Sequence, residues 1–110
     1  MFTDEKEWLP VGSIVRLEGG ERLIMVSGFM IQDAVSQRYW DYVGYPYPEG
    51  RRDGQTDYFF DKSMISEIHQ IGYLNADGCL FENFLENSSD DFNDAKSEGI
   101  DKTTAEPVKA

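Results

Sequence analysis

The two side chains that titrate nearest neutral pH and most readily serve as base or nucleophile occur once each in this 110-residue chain: His69 and Cys79. His69 could act as a general base near neutral pH, but such a base needs a nucleophile to activate and a partner to orient it. Its neighbours Ile68 and Gln70 are neither. Cys79 follows Gly78 and precedes an apolar run, where a helix N-terminus would favour the thiolate. A lone cysteine in that setting is ordinarily a small packing residue. One cysteine and one histidine make neither an internal disulfide nor a standard structural zinc site. Glu18-Gly19-Gly20-Glu21 carries glutamates where a phosphate loop would carry lysine. Asp90, Asp91 and Asp94 lack the alternating acids, glycine and closing glutamate of a calcium loop. The residues therefore point to no catalytic group, cofactor or metal. The chain is expected to be no enzyme, and a small enzyme built on His69 is the weakest of the alternatives.

The remaining chemistry is aromatic. Tyr39, Trp40, Tyr42, Tyr45, Tyr47, Tyr58, Phe59 and Phe60 fall within 22 residues. On a strand they alternate between faces, and a small sheet buries only one face fully. Several rings should then stay accessible. Aromatic rings can stack single-stranded bases, but only beside a basic groove, and Arg38 and Arg51-Arg52 alone do not make one. Rings also anchor protein interfaces. Trp40, Tyr42, Tyr45 and Tyr47 are the expected partner-binding residues.

The elements that would place these groups are short. Val11, Ser13, Val15 and Leu17 alternate with Gly12, Ile14 and Arg16, the period of a half-buried strand. Gly19-Gly20 supplies a tight hairpin turn, and Leu23–Ile31 resumes a strand with a bulge expected at Gly28. Arg38–Tyr45 reads as a third strand ended by Pro46 and Pro48, and Asp57–Phe60 as a fourth. Asp61 can cap a helical turn through Met64. Ile65–Tyr73 is rich in β-branched residues and is read as a fifth strand. Leu80, Phe81, Phe84 and Leu85 form one apolar stripe on a short helix started by Asp77-Gly78. From Ser88 the chain turns polar and acidic, with only Phe92 and Ile100 as large apolar residues. Such a segment cannot offset its ordering entropy by burial, so 88–110 is expected to be a disordered acidic tail behind a single domain of residues 1–87. The fold class is α+β, mainly β: a strongly bent antiparallel sheet of about five strands, able to close like a barrel, with a short C-terminal helix.

Charge narrows the partners. The chain holds 10 Lys+Arg against 21 Asp+Glu, a net charge of −11. That repels nucleic acid and anionic membrane surfaces, and it favours a basic protein partner. No apolar run approaches the ~20 residues of a membrane span, and the acidic start Met1–Trp8 is unlike a secretory signal. The expected compartment is the cytoplasm.

The order of several short motifs carries a resemblance. Leu9-Pro10-Val11-Gly12-Ser13-Ile14-Val15, Leu17-Glu18-Gly19-Gly20 and Leu23-Ile24-Met25-Val26 open it. Trp40-Asp41-Tyr42-Val43-Gly44, Tyr47-Pro48-Glu49-Gly50, Tyr58-Phe59-Phe60 and Ile68…Ile71-Gly72-Tyr73 continue it. Over residues 8–85 the chain resembles a small uncharacterised accessory family encoded beside LXG polymorphic toxins in type VIIb secretion loci of Gram-positive bacteria. The resemblance implies a non-enzymatic chaperone or adaptor that binds a cognate LXG toxin, or its targeting factors, before export. An immunity protein that neutralises the toxin is the alternative.

Overall fold

The computed structural model describes residues 7–52 and 57–102, with side chains as far as Ser97. Residues 1–6, residues 53–56 after Pro48 and the last eight residues, the end of the segment expected to be a tail, lie outside the described residues. Five strands form one antiparallel sheet: β1 (Ile14–Leu17), β2 (Leu23–Gln32), β3 (Tyr39–Tyr47), β4 (Tyr58–Phe60) and β5 (Ile65–Gln70). A 3-10 turn (Lys62–Met64) precedes β5, and one helix, α1 (Ala76–Lys102), follows it.

The strand order is β4-β3-β2-β1-β5, so β4 and β5 are edges and the sheet stays open. It does not close as a barrel, because the three residues of β4 pair only with Tyr42–Gly44 and never meet β5. The first hairpin turns on Gly19, whose φ of +79° is the left-handed region that glycine tolerates. The bulge falls where expected: the β2–β3 register slips between Val26 and Gly28. Pro46 does not end β3; it pairs with Ile24 and the strand runs on to Tyr47. Beyond Gly44 that side of β3 has no β4 partner, so a residue without an N–H fits there.

Alternation along β1 sends Val15 and Leu17 into the core beside Ile24, Val26, Tyr42 and Phe60. Trp8, Leu9, Leu85 and Phe92 complete the cluster from outside the sheet. Trp8 is the wedge between sheet and helix. Its ring stands edge-on to Tyr42 at 5.3 Å and to Phe92 at 6.4 Å, and its indole Nε1–H donates to Ser89 Oγ at 3.1 Å.

The helix corrects two expectations. It is not short, and the segment from Ser88 is not a tail as far as Lys102: it is the second half of α1. Leu85, Ser89, Phe92 and Lys96 stand at i, i+4, i+7 and i+11, one stripe of a helix facing the sheet. Ser89 and Phe92 are buried. Phe92, on the same stripe as Leu85 and meeting a preformed surface, supplies burial that composition alone made seem absent.

Candidate functional site

The first turns of α1 are set by the chain that enters them. Gly72 passes so close to Val11 that a Cβ there would overlap the Val11 carbonyl oxygen. Its N–H donates to the buried Ser13 Oγ at 2.9 Å. Asn75 then caps the helix, its Oδ1 accepting from the Gly78 N–H at 2.9 Å. Asn75, and not Asp77-Gly78, marks the start, and Asp77 sits in the first turn, where the helix dipole favours an acid.

The second half of α1 is held by ions as well as by rings. Lys96 Nζ lies 3.0 Å from Asp41 Oδ1 and 2.8 Å from Asp61 Oδ1. Asp61 Oδ1 also accepts from the Asp41 N–H at 3.0 Å, and Asp41 Oδ2 accepts from the Lys62 N–H at 2.8 Å. Asp61 stands at the N-cap of the 3-10 turn, as expected, and its Oδ1 is shared with β3 and Lys96, while Asp41 satisfies the first N–H of the turn. Two carboxylates this close and mostly buried need the one cation between them. The network escapes a reading of local motifs, although one signal exists: Lys96 is the only Lys or Arg between Lys62 and Lys102.

The first half of α1 has the opposite character. Leu85 faces the core, but Leu80 (67% exposed), Phe81 (47%) and Phe84 (59%) do not. The expected single stripe is split, because Leu80 and Phe84 lie about a quarter-turn or more away from the Leu85–Phe92 line. Tyr73 and Leu74, just before the helix, are exposed as well, as is Ile71. Among the described residues, six of the nine exposed large hydrophobic residues fall within 71–84, which makes this segment their main apolar surface.

The exposed rings are not loose. Phe84 stacks on Phe81 at 5.9 Å, and Phe81 tilts against Phe29 at 5.6 Å. Phe29 stands edge-on to Trp8 and Tyr42, and Tyr42 stacks on Phe60 at 5.3 Å. A continuous series of rings therefore runs from the buried Phe60 to the surface at Phe84. Tyr42 is pinned within it: its hydroxyl accepts from the Leu9 N–H at 2.9 Å, and burial pushes its phenol far above the ordinary value. Exposed carboxylates flank this face at Asp77, one turn before Leu80 and Phe81, and at Asp91, two turns beyond Phe84. On another side of α1, burial first, then the neighbouring Glu86 and Glu7, raises the Glu82 carboxyl above its ordinary range.

The residues expected to bind a partner are dispersed by the fold. Trp40 (1% exposed) and Tyr42 (0%) are core residues and offer no surface. Trp40 is covered by the Arg38 guanidinium, 4.5 Å from its ring centroid. Tyr45 is half-buried with Arg51 above it at 6.0 Å, and Tyr47 is exposed at the end of β3. Successive residues of β3 are buried on both faces, from Trp40 to Gly44, which a one-sided sheet would not show. Cys79 is exposed in the first helical turns and is not the packing residue expected.

His69 does have an orienting partner. Its Nε2 lies 2.8 Å from Glu67 Oε1, two residues back on the same strand face. Glu67 also binds Arg16, whose Nε donates to Oε1 at 3.1 Å. The Arg16 hydrogen bond, then that of His69, holds the Glu67 carboxyl down at about 2, and Glu67 raises the Arg16 guanidinium in turn. The trio lies on an open strand surface. Ser66, the hydroxyl nearest in sequence, points its Oγ–H to the Arg16 carbonyl at 3.1 Å and not to the imidazole. Among the described residues, no three His, Cys, Asp or Glu side chains are placed to hold a metal ion, and no helix is long and apolar enough to cross a membrane.

The chain matches a family model over residues 8–81, from the Trp8 wedge through all five strands to Phe81. That is a domain of unknown function, DUF4176. The chain belongs to this family. No curated protein and no solved structure matches it. The match holds Phe81 and its support on Phe29, and it stops before Phe84 and the docked stripe of Ser89, Phe92 and Lys96.

Proposed function

We propose that this chain is a non-enzymatic accessory protein, a chaperone or adaptor, that binds a cognate LXG toxin of a type VIIb secretion system in the cytoplasm before export. The observation that carries the binding part of this reading is the exposed apolar face at Leu80, Phe81 and Phe84 on an acidic helix. A cluster of exposed rings, supported from behind and flanked by acids, costs solubility unless something covers it. The toxin part rests on the resemblance carried by the strand and turn motifs of residues 8–85.

Co-expression with the toxin encoded beside the gene tests both parts. A complex that co-purifies, and toxin export that fails when the gene is deleted, are the expected results. Absence of a complex together with unchanged export would overturn the reading. Growth restored against the active toxin would make the chain an immunity protein instead. A His69→Ala chain should support export as well as the wild type does.

A further inference from the structure

We infer that the face formed by Leu80, Phe81 and Phe84 seats a basic amphipathic helix of the partner, an inference that rests on the protein-binding reading above. The partner's secondary structure follows from what this face lacks. A helix has already satisfied its backbone N–H and C=O groups internally, so α1 offers an incoming chain no ladder hydrogen bonds. A partner segment that desolvates itself against rings alone must arrive with its own backbone satisfied, and that means a helix with apolar residues at i, i+3/i+4 and i+7.

The partner's charge follows from the rim. Asp77 lies one turn before Leu80 and Phe81, and Asp91 two turns beyond Phe84 on the same side of the helix; both are exposed. α1 carries eight carboxylates and two lysines, and Lys96 is already engaged by Asp41 and Asp61. A second copy of this chain would set acids opposite acids on two molecules of net charge −11, so the face disfavours self-association. Lysine and arginine flanking an apolar stripe would complement it. The rings are held in place through Phe29 and Tyr42, so little side-chain freedom is lost on binding.

The probes are two synthetic helical peptides of about 18 residues. Both carry the same leucine stripe, one flanked by lysine and the other by glutamate. Binding to the full chain is followed by fluorescence anisotropy at about 50 and about 500 mM salt. The lysine peptide should bind saturably and the glutamate peptide should not. High salt should weaken binding roughly tenfold or more. Leu80→Ser with Phe84→Ser should cost roughly tenfold or more while the circular-dichroism melt stays unchanged. Asp77→Lys with Asp91→Lys keeps the rings and should shift preference toward the glutamate peptide. Equal binding of both peptides, or of wild type and the serine variant, would overturn the inference. So would dimerisation of the free chain through this face, or binding that emerges only once residues 1–6 are deleted. A toxin complex that forms and survives the serine variant removes this face but leaves the protein-binding reading standing. Peptide binding as expected with no toxin complex does the reverse.

Discussion

The two halves of α1 invert the simplest rule of burial. The half richer in large apolar residues, with Leu80, Phe81 and Phe84, is the exposed one. The half read as too polar to fold is docked on the sheet through Phe92, Ser89 and Lys96. Apolar content therefore does not say which part of a helix is buried. What decides is whether a complementary surface waits opposite it. Trp8, Tyr39 and the Asp41–Asp61 pair supply that surface to the second half, whereas in the first half Leu85 reaches the core and the ring of Phe81 meets Phe29 at the edge of the sheet. Hydrophobic groups left out of the core in this way are available for another molecule.

The largest test of this contrast is truncation after Asn87. It removes Phe92 and Lys96 together, and losing one buried phenylalanine alone costs ~3–5 kcal/mol. Chemical denaturation should show a loss of at least that size. A melting temperature within a few degrees of the full chain would show that the second half merely lies near the sheet. Lys96→Met isolates the ionic part. It leaves two close, mostly buried carboxylates without their cation, and an expected loss of about 2–3 kcal/mol should be read in the same titration.

An exposed ion pair provides the counterpart. Arg16 and Glu67 are more than a third exposed, so solvent screens them and the effect on stability is smaller than for Lys96. The sign is defined all the same. The folded Glu67 value, about 2, lies below its ordinary 4.5. Its contribution is therefore complete above the ordinary value and is lost as pH falls from there through the folded value. Carboxyl titration by NMR should place Glu67 well below the other glutamates, and Arg16→Ala should move it back toward 4.5. An unmoved midpoint would assign the shift to another neighbour. The smallest expected effect is the most informative one: Leu80→Ser with Phe84→Ser should change stability by no more than ~0.5 kcal/mol. A loss of several kcal/mol would mean that these residues are core after all, and the contrast between the halves would vanish.

Much of the sheet was legible because its signals are local. Period-2 alternation placed Val15 and Leu17 inward, Gly19 announced the turn and Gly28 the bulge, and each depends on residues a few positions apart. The site was less legible. Trp40 and Tyr42 look like interface anchors when β3 is imagined with one wet face, yet both faces of its middle are covered. Leu80 and Phe84 look like core when only eight residues of helix are considered. Over 27 residues, the stripe continuing through Ser89, Phe92 and Lys96 outweighs them.

The sequence by itself determined the class of fold, the first hairpin and the acidity, since composition, periodicity and turn chemistry are carried by neighbouring residues. Only the tertiary structure decided which rings are free. Burial depends on what the chain brings to the other side of each residue, and here those partners are far apart in sequence: Trp8 with Ser89, Asp41 and Asp61 with Lys96, Phe29 with Phe81. No local pattern encodes such pairings, because each side chain shows only half of the contact.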